Sequence, residues 1–156
     1  MKLTAYSNYA LRSLQLAALR APDLIRVDDV ARAHGLARAH IVKIVHELGR
    51  AGFVKTQRGR GGGFRLARPA EEIVLGDVIR LTEGPLDVVE CFNPTSNTCP
   101  LIGVCQLSRG LHEATRAFMA VLDDLTLADV SANRDQLLGR IASADKSAPA
   151  PTRSAK

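Results

Sequence analysis

The chain has 156 residues, enough for one domain or for one small domain with an appendage. Hydrophobic residues make up 46% of it and aromatic residues only 4%, so its core must consist mainly of Leu, Val, Ile and Ala. No apolar run approaches the roughly 20 residues that cross a bilayer, and nothing resembles a signal peptide, so we expect a cytoplasmic protein without a membrane partner.

Charge is distributed unevenly along the chain, whose formal net charge is +5. Residues 1–68 carry thirteen Lys or Arg and four Asp or Glu, a net charge of +9. Residues 69–142 carry five and eleven, a net charge of −6, and residues 143–156 add +2. This asymmetry is typical of a protein that binds a polyanion at one end, although a well-solvated surface would give the same numbers.

The stretch SNYALRSLQLAALR predicts the first helix. Leu11, Leu14 and Ala18 recur at helical spacing, which places them on one face. Ser7 is the expected N-cap, and Pro22 marks the end of the element.

The stretch VDDVARAHGLARAHIVKIVHELGRAGFV predicts a helix-turn-helix. Asp28 and Asp29 favour the positive end of a short helix, and Gly35 supplies the turn because it adopts a positive φ without a Cβ clash. The second helix ends at Gly52 and lacks one signal, because Ala37 stands where a Ser or Thr N-cap is expected. Its apolar face consists of Ile41, Ile44, Val45 and Leu48.

The stretch FVKTQRGRGGGFRLA predicts a β-hairpin with a glycine-rich tip. Phe53 and Val54 begin one strand, and Phe64 and Leu66 belong to the other. A basic hairpin after two helices is the pattern of a winged helix. The stretch IVLGDVIRLTEG then predicts a short strand edge and a closing helix, so we place a winged helix-turn-helix domain at residues 1–84.

The remainder of the chain divides into a loop, a helical segment and a tail. Residues 85–106 hold the cysteines in a polar, turn-rich loop. Residues 107–142 predict a long dimerisation helix and a short C-terminal helix, and residues 143–156 are expected to be disordered. The long helix carries a heptad seam of Leu107, Leu111, Ala114, Phe118, Val121 and Leu125. The predicted fold class is therefore mainly α with a small β-hairpin wing.

Two groups of side chains are candidates for DNA contact. The helix contributes Arg38, His40 and Lys43, and the wing contributes Arg58, Arg60 and Arg65. Arg and Lys donate to guanine or pair with phosphates, and an arginine at a glycine tip can enter a narrow minor groove. His34 and His46 are interpreted as ordinary surface or boundary residues. The stretch RGRGGGFRL lacks the Lys-Ser/Thr ending of a P-loop, which argues against a nucleotide-binding enzyme.

Cys91, Cys99 and Cys105 are separated by seven and five residues, and their odd number cannot close completely into internal disulfides. Thiolates are soft ligands suited to iron–sulfur clusters, zinc or copper(I). Pro94 and Pro100 bend the loop in a way that allows the three sulfurs to converge. The spacing is looser than that of paired C-x-x-C motifs, so a disulfide with a free thiol, or three unrelated thiols, remain open.

These segments together resemble the winged-helix iron–sulfur transcription regulators of the IscR, NsrR and RirA type. The resemblance runs from Met1 to about Val130 and rests on MKLTAYSNYALRSL, HIVKIVHELGRAGFVKTQRGRGGGFRLA, GDVIRLTEG, VVECF…CPLIGVCQL and LDDLTLADV. It implies a homodimer that crosses through the long helices, with each cysteine loop near the partner's reading helix. It also implies that Cys91, Cys99 and Cys105 ligate a [4Fe-4S] cluster or, alternatively, a [2Fe-2S] cluster.

Within this family, the reading helix and RGRGGG most resemble the NsrR type, which senses nitric oxide. Members of the IscR type carry a His three residues after the third cysteine, where this chain has Ser108. NsrR-type proteins often place an Asp of the partner's first helix on the fourth iron, and the matching position here is Asn8. Asn8 of the partner subunit is therefore the candidate fourth ligand, although a neutral amide is a poor iron ligand and is closer to the RirA type.

We therefore expect a homodimeric repressor that binds double-stranded operator DNA and releases it when nitric oxide reaches the cluster. The first alternative is an iron-responsive, RirA-like regulator with a labile cluster. The second is a cluster-free thiol switch, or a zinc-stabilised module that binds another protein through the long helix. An enzyme is not expected, because no nucleophile–base pair or pair of acids stands out.

Overall fold

A computed structural model of the chain describes residues 2–147. Within these residues the chain forms six α-helices and one two-stranded antiparallel sheet, so the mainly α prediction with a hairpin wing is confirmed. Short 3₁₀ turns lie at Ala70–Glu72, Glu90–Phe92 and Asp129–Ser131. The main elements are α1 (Ala5–Leu19), α2 (Val27–His34), α3 (Arg38–Arg50), β1 (Val54–Gln57), β2 (Gly63–Leu66), α4 (Leu75–Glu83), α5 (Gln106–Asp123) and α6 (Arg134–Ser147).

The core lies in the N-terminal half, where α1 packs against α2, α3, α4 and β2. Leu14 and Phe64 are fully buried there, and so is the predicted apolar face of α3: Ile41, Ile44, Val45 and Leu48 are at most 5% exposed. Burying each such side chain contributes roughly 1.5–3 kcal/mol, which fixes the orientation of α3 against the rest of the domain. The opposite face of α3 is thereby directed toward solvent.

The N-terminus of α1 corrects one prediction. The N-cap is Thr4, not Ser7: the Thr4 hydroxyl accepts a hydrogen bond from the Ser7 amide at 3.3 Å. Ser7 lies one turn inside the helix, is fully buried, and donates its hydroxyl to the carboxylate of Glu83 at the end of α4. Glu83 also accepts from the Thr4 amide at 2.7 Å, so the start of α1 is fixed by a residue distant in sequence.

The helix-turn-helix follows the prediction closely. Gly35 ends α2 with a φ of +62°, in the left-handed region that glycine adopts at no steric cost. Ala37 occupies the N-cap position of α3 and makes no side-chain capping bond. Tertiary packing of the buried face therefore compensates for the missing cap.

The wing pairs β1 with β2 in antiparallel register, with Val54 opposite Leu66 and Gln57 opposite Gly63. Phe53 precedes the first strand instead of beginning it. β2 also pairs through Phe64 with Ile25, where two backbone hydrogen bonds of 2.8 and 2.9 Å tie the wing to the segment before α2. A Cβ at Gly63 would collide with the Ile25 carbonyl, so this glycine is required by packing.

The second half of the chain departs further from the predictions. α5 ends at Asp123, so Leu125 of the predicted seam lies beyond the helix. The C-terminal helix α6 starts only at Arg134, after a 3₁₀ turn, and continues to Ser147. The first residues of the predicted disordered tail are therefore helical, and residues 148–156 lie outside the described part. None of the helices in residues 2–147 has the length and hydropathy needed to span a bilayer.

Candidate functional site

The exposed face of α3 is divided into two strips that face different neighbours. His40 and Lys43 face α1: the His40 ring stacks on Tyr9 with 6.1 Å between centroids, and the Lys43 ammonium lies 5.9 Å from the centre of the Tyr6 ring. Such cation–π and stacking contacts restrain the two side chains. Two of the predicted DNA contacts therefore lie at the junction of α1 and α3.

Tyr6 links the same two helices through its hydroxyl. It donates a hydrogen bond to the carboxylate of Glu47 on α3. Burial, together with the hydrogen bond to Glu47 and the negative charge of that carboxylate, raises the pKa of Tyr6 to about 12. Tyr6 therefore remains protonated, and a donor, at any physiological pH.

The second strip faces the wing. Arg38, Val42 and His46 follow one another at intervals of one helical turn and line a groove of about 380 Å³ between α3 and the hairpin. Arg38 Nε donates to Asp28 Oδ1 at 2.8 Å, which holds the guanidinium at the edge of the groove. The sequence pattern did not single out Val42, and it assigned His46 to the ordinary surface or boundary residues. The periodicity of exposed positions on α3 would have grouped both with Arg38.

The wing adds further cations. Arg58 lines the same groove, and Arg60 is exposed at the glycine-rich tip. Arg65 on β2 pairs across the sheet with Lys55 on β1, and both side chains are exposed. Like charges directly opposite each other repel, which favours an anion between or above them. Lys55 is thus a candidate contact that the sequence pattern did not reveal.

The cysteine loop brings two of its three thiols close to one residue. Cys91 Sγ donates to Ser108 Oγ at 3.4 Å, and the Ser108 amide donates to Cys105 Sγ at 3.4 Å. Cys105 is the N-cap of α5, so this arrangement sits on the first turn of the long helix. Cys91 and Cys105 line a cavity of about 560 Å³ with Ser108 and His112.

Cys99 lies on the other arm of the loop and is not part of that lining. The two arms are joined by the residues that precede the cysteines: the Glu90 carboxylate accepts from the amide and the hydroxyl of Thr98, the latter at 2.6 Å. Hydrogen bonds from the Thr98 side chain and backbone lower the pKa of Glu90. The Cys99 amide in turn donates to Asn97 Oδ1 at 3.0 Å.

The donor chemistry of the loop suits a soft metal centre. All three thiols are free and half-buried, and no other cysteine is present in the chain. Among the residues that the structure describes, however, no three Cys, His, Asp or Glu side chains are gathered as a ligand set. The three thiols thus fit an iron–sulfur cluster by their chemistry. Of the three sulfurs, those of Cys91 and Cys105 line one cavity and that of Cys99 lies outside it.

Asn8, the candidate ligand from a partner subunit, is exposed on α1. Its side-chain carbonyl accepts a hydrogen bond from Arg12 Nε at 3.2 Å, one helical turn further along. An amide that already accepts from a guanidinium is less available to a metal than a free carboxylate.

The long helix α5 has one covered and one bare face. His112 and Met119 border a cavity of about 350 Å³ between α5 and α4, and Asp123 pairs with Arg80 of α4 at 2.6 Å. At 100° per residue the heptad seam lies on the opposite side. Its members Leu107 and Val121 are 70% and 61% exposed. No residue of α5 is buried within the chain.

The loop in front of α5 also exposes large apolar side chains. Leu101, Ile102 and Val104 are 56%, 55% and 76% exposed. A soluble monomer rarely leaves several large apolar side chains side by side in water. The cysteine loop and the seam of α5 thus each leave large apolar side chains uncovered within the described residues.

The chain is similar to known transcriptional regulators in sequence and in fold. The model of the Rrf2 family, described as iron-dependent transcriptional regulator, matches residues 3–133. The HTH-type transcriptional regulators NsrR of Geobacillus kaustophilus and Halalkalibacterium halodurans are 48% and 45% identical over 138 residues, which cover 88% of this chain and 94% of each relative. In three dimensions the chain is similar to CymR, the global cysteine regulator of B. subtilis: the TM-score is 0.71 and the identity 27%, over 85% of this chain and 98% of CymR.

Proposed function

Because the chain belongs to the Rrf2 family of transcriptional regulators, we propose that it is a homodimeric repressor that senses nitric oxide through an iron–sulfur cluster. Its relatives are named as regulators and it is not an enzyme. The observation that carries the proposal is the position of Cys91 and Cys105 around Ser108, at the first turn of a helix with an uncovered apolar seam.

A second copy of the chain is the proposed partner for that seam. Heptad seams are self-complementary, so two α5 helices related by a two-fold axis would cover Leu107 and Val121 on both chains. In this proposal the same partner also covers the exposed loop residues Leu101, Ile102 and Val104. The proposal thereby accounts for the large apolar side chains that the described residues expose outside the winged domain.

The proposed DNA-reading elements are α3 and the wing of each subunit. Arg38, His40, Lys43, Arg58, Arg60 and Arg65 supply positive charge for phosphates and donors for base edges. Two winged domains in a dimer engage half-sites about 34 Å apart, one helical turn of DNA. Loss of that spacing leaves mainly the weak, salt-sensitive attraction to phosphates.

Cys91, Cys99 and Cys105 are the proposed cluster ligands, with Asn8 of the partner subunit as the candidate for the fourth position. A [4Fe-4S] cluster is favoured over a [2Fe-2S] cluster, and when bound it supplies iron that nitric oxide attacks. The chain itself links the cysteine loop to the start of α5. Cys105 caps α5, and Cys91 Sγ lies 3.4 Å from Ser108 Oγ in the first turn, so any rearrangement of the loop acts directly on the N-terminus of the proposed dimerisation helix.

In this proposal the state of the cysteine loop determines which of two geometries the dimer adopts. With the loop fixed, the start of α5 and the seam keep the two reading helices at the spacing of the operator half-sites. With the loop released, the first turn of α5 loses its cap and the register of the seam changes. Release of the cysteine loop thus changes the proportion of dimers in each geometry, and it does so without any direct contact between the cluster and DNA.

Anaerobic titration of the dimer with nitric oxide tests the proposal, with operator binding and the visible spectrum read in parallel. We expect DNA release at a few molecules of nitric oxide per cluster. Release by iron chelators alone, with binding unaffected by nitric oxide, would contradict the nitric-oxide signal. A protein that stays colourless after reconstitution would support the cluster-free thiol switch or zinc module instead.

The ligand assignment has its own test in Cys99→Ala, compared with Ser96→Ala in the same loop. We expect the cysteine variant to lose iron and colour during anaerobic purification and the serine variant to keep both. Full colour and normal regulation in Cys99→Ala would exclude this cysteine as a ligand.

An iron-responsive regulator is the second candidate function, and Asn8 is the observation that favours it. Its neutral amide already accepts from Arg12, so it would hold an iron weakly and leave the cluster labile. If this residue is the fourth ligand, Asn8→Asp should slow the loss of the cluster to a chelator, because a carboxylate binds iron more strongly than a neutral amide. An unchanged rate of loss would place the fourth ligand elsewhere.

A further inference from the structure

Val42 is unusual among the exposed residues of the winged domain. It is 43% exposed on α3, and the other large exposed apolar side chains of the described residues all lie in the cysteine loop or on α5. The proposed second copy covers those, but it does not account for Val42, which lies on the flank of α3 that faces the wing. If the Val42 side chain is buried on binding, the apolar group that covers it must belong to another partner.

The surroundings of Val42 indicate what that group belongs to. Arg38 lies one turn before Val42, His46 one turn after, and Arg58 of the wing lies across the same groove. Asp28 fixes Arg38 at the groove's edge through a 2.8 Å hydrogen bond. An apolar side chain beside two arginines suits a polyanion with a small apolar group on its surface better than a protein surface.

The major groove of DNA presents one such group. The 5-methyl of thymine is the apolar feature on the major-groove edge of a base pair, whereas cytosine and the purines offer polar atoms there. We propose that Val42 is a specificity-determining residue that packs its methyl groups against a thymine methyl in each half-site. This inference rests on the proposed DNA-binding function and adds the chemistry of one recognised base.

The methyl group itself can be removed without altering base pairing, which makes the test direct. Duplexes selected by the dimer from a random pool first supply a bound sequence. Each thymine of that sequence is then replaced singly by deoxyuridine, and the dissociation constant is measured for the wild type and for Val42→Ala. We expect one thymine per half-site at which deoxyuridine weakens wild-type binding by about fourfold, the effect of one unburied methyl.

The same substitution should have no effect on Val42→Ala, because the methyl has lost its partner. Arg60→Ala is the matched control: it should weaken binding to both duplexes and keep the fourfold ratio. Val42→Thr keeps one of the two side-chain methyl groups of valine. For this variant the ratio of the dissociation constants of the deoxyuridine and thymine duplexes should therefore lie between about 1 and 4. Thermal unfolding of Val42→Ala should match the wild type, since the side chain is outside the core.

The outcomes separate this inference from the function on which it rests. If no duplex is enriched, the proposed DNA-binding function fails. If a duplex is enriched but every thymine tolerates deoxyuridine, or the sensitive thymine is equally sensitive in Val42→Ala, then Val42 does not read a methyl group. In that case a protein partner or a second copy covers Val42.

Discussion

The carboxylate of Glu90 accepts two hydrogen bonds from Thr98, and these two residues directly precede Cys91 and Cys99. The pair joins the two arms of the cysteine loop at their bases. These bonds lower the pKa of Glu90, so the ionised carboxylate that accepts them persists to a lower pH than that of an ordinary glutamate. The loop is thus restrained before any group binds between its thiols.

Thr98→Val should weaken this clamp while preserving shape, since valine replaces the hydroxyl by a methyl group and keeps the backbone amide that donates to Glu90. We expect the reconstituted protein to lose its cluster to a chelator roughly threefold faster, because one charge-assisted hydrogen bond is removed at an exposed site. Loss of visible absorbance with time measures the rate. Thr95→Val is the control, because Thr95 bonds only locally to Asn93. Equal rates in both variants and the wild type would show that the clamp does not restrain the loop.

Arg60→Ala should weaken operator binding because the tip of the wing loses a cation. Removing one cation that pairs with a phosphate in each half-site reduces the slope of log K against log salt concentration by about 1 per half-site. Fluorescence anisotropy across a salt series measures both the affinity and the slope. Arg140→Ala removes an exposed arginine on α6 and should leave both unchanged. A wild-type slope in Arg60→Ala would place the wing tip away from the backbone of DNA.

Val121→Asp should dissociate the proposed dimer. Val121 is 61% exposed in the single chain, so the monomer tolerates the charge, whereas a closed seam would bury it without a partner. We expect the dimer dissociation constant to rise on the order of 100-fold, measured by sedimentation equilibrium. Ala120→Asp puts the same charge outside the seam and should have little effect. A dimer that survives Val121→Asp would form through another surface.

Glu83→Gln tests the link between α4 and the start of α1. Burial opposes ionisation of Glu83, but hydrogen bonds from Ser7 and from the Thr4 backbone and side chain outweigh it and lower the pKa below its ordinary value of 4.5. A lowered carboxyl pKa adds stability that is complete above the unfolded-state value and is lost as the pH falls through the folded-state value.

At pH 7 the variant should therefore be less stable by about 1 kcal/mol, a modest value because the carboxylate is only partly buried. Between pH 5 and pH 3 the wild type should lose stability more steeply than Glu83→Gln. Urea unfolding at each pH measures this, and Glu71→Gln, an exposed substitution, should follow the wild type. Parallel pH profiles for all three proteins would show that Glu83 does not stabilise the fold.

The winged domain was largely predictable because its signals are local. The buried face of α3 and the turn at Gly35 follow from helical periodicity and from the backbone freedom of glycine. The N-cap of α1 was not predictable, because Thr4 and Ser7 are both good caps. The choice between them depends on Glu83, which is far away in the sequence.

In the candidate site, too, the sequence predicted the residue types but not their neighbours in the fold. Sequence identified the three cysteines as chemical donors and the six candidate DNA contacts as polar or basic positions. It did not separate His40 and Lys43, which face α1, from Arg38, which faces the wing. Nor did it identify Val42 or the cross-strand pair of Lys55 and Arg65, because both depend on which neighbouring element lies opposite.

Residue type and spacing by themselves determined the elements, the basic half and the donor chemistry of this protein, since these properties belong to short stretches of chain. Tertiary structure alone decided that Cys91 and Cys105 meet at Ser108, that Glu90 holds the base of the loop, and that the seam of α5 faces away from its own domain. The physical reason is that a side chain's partner depends on how distant segments pack, and packing is settled by the burial of the whole core at once.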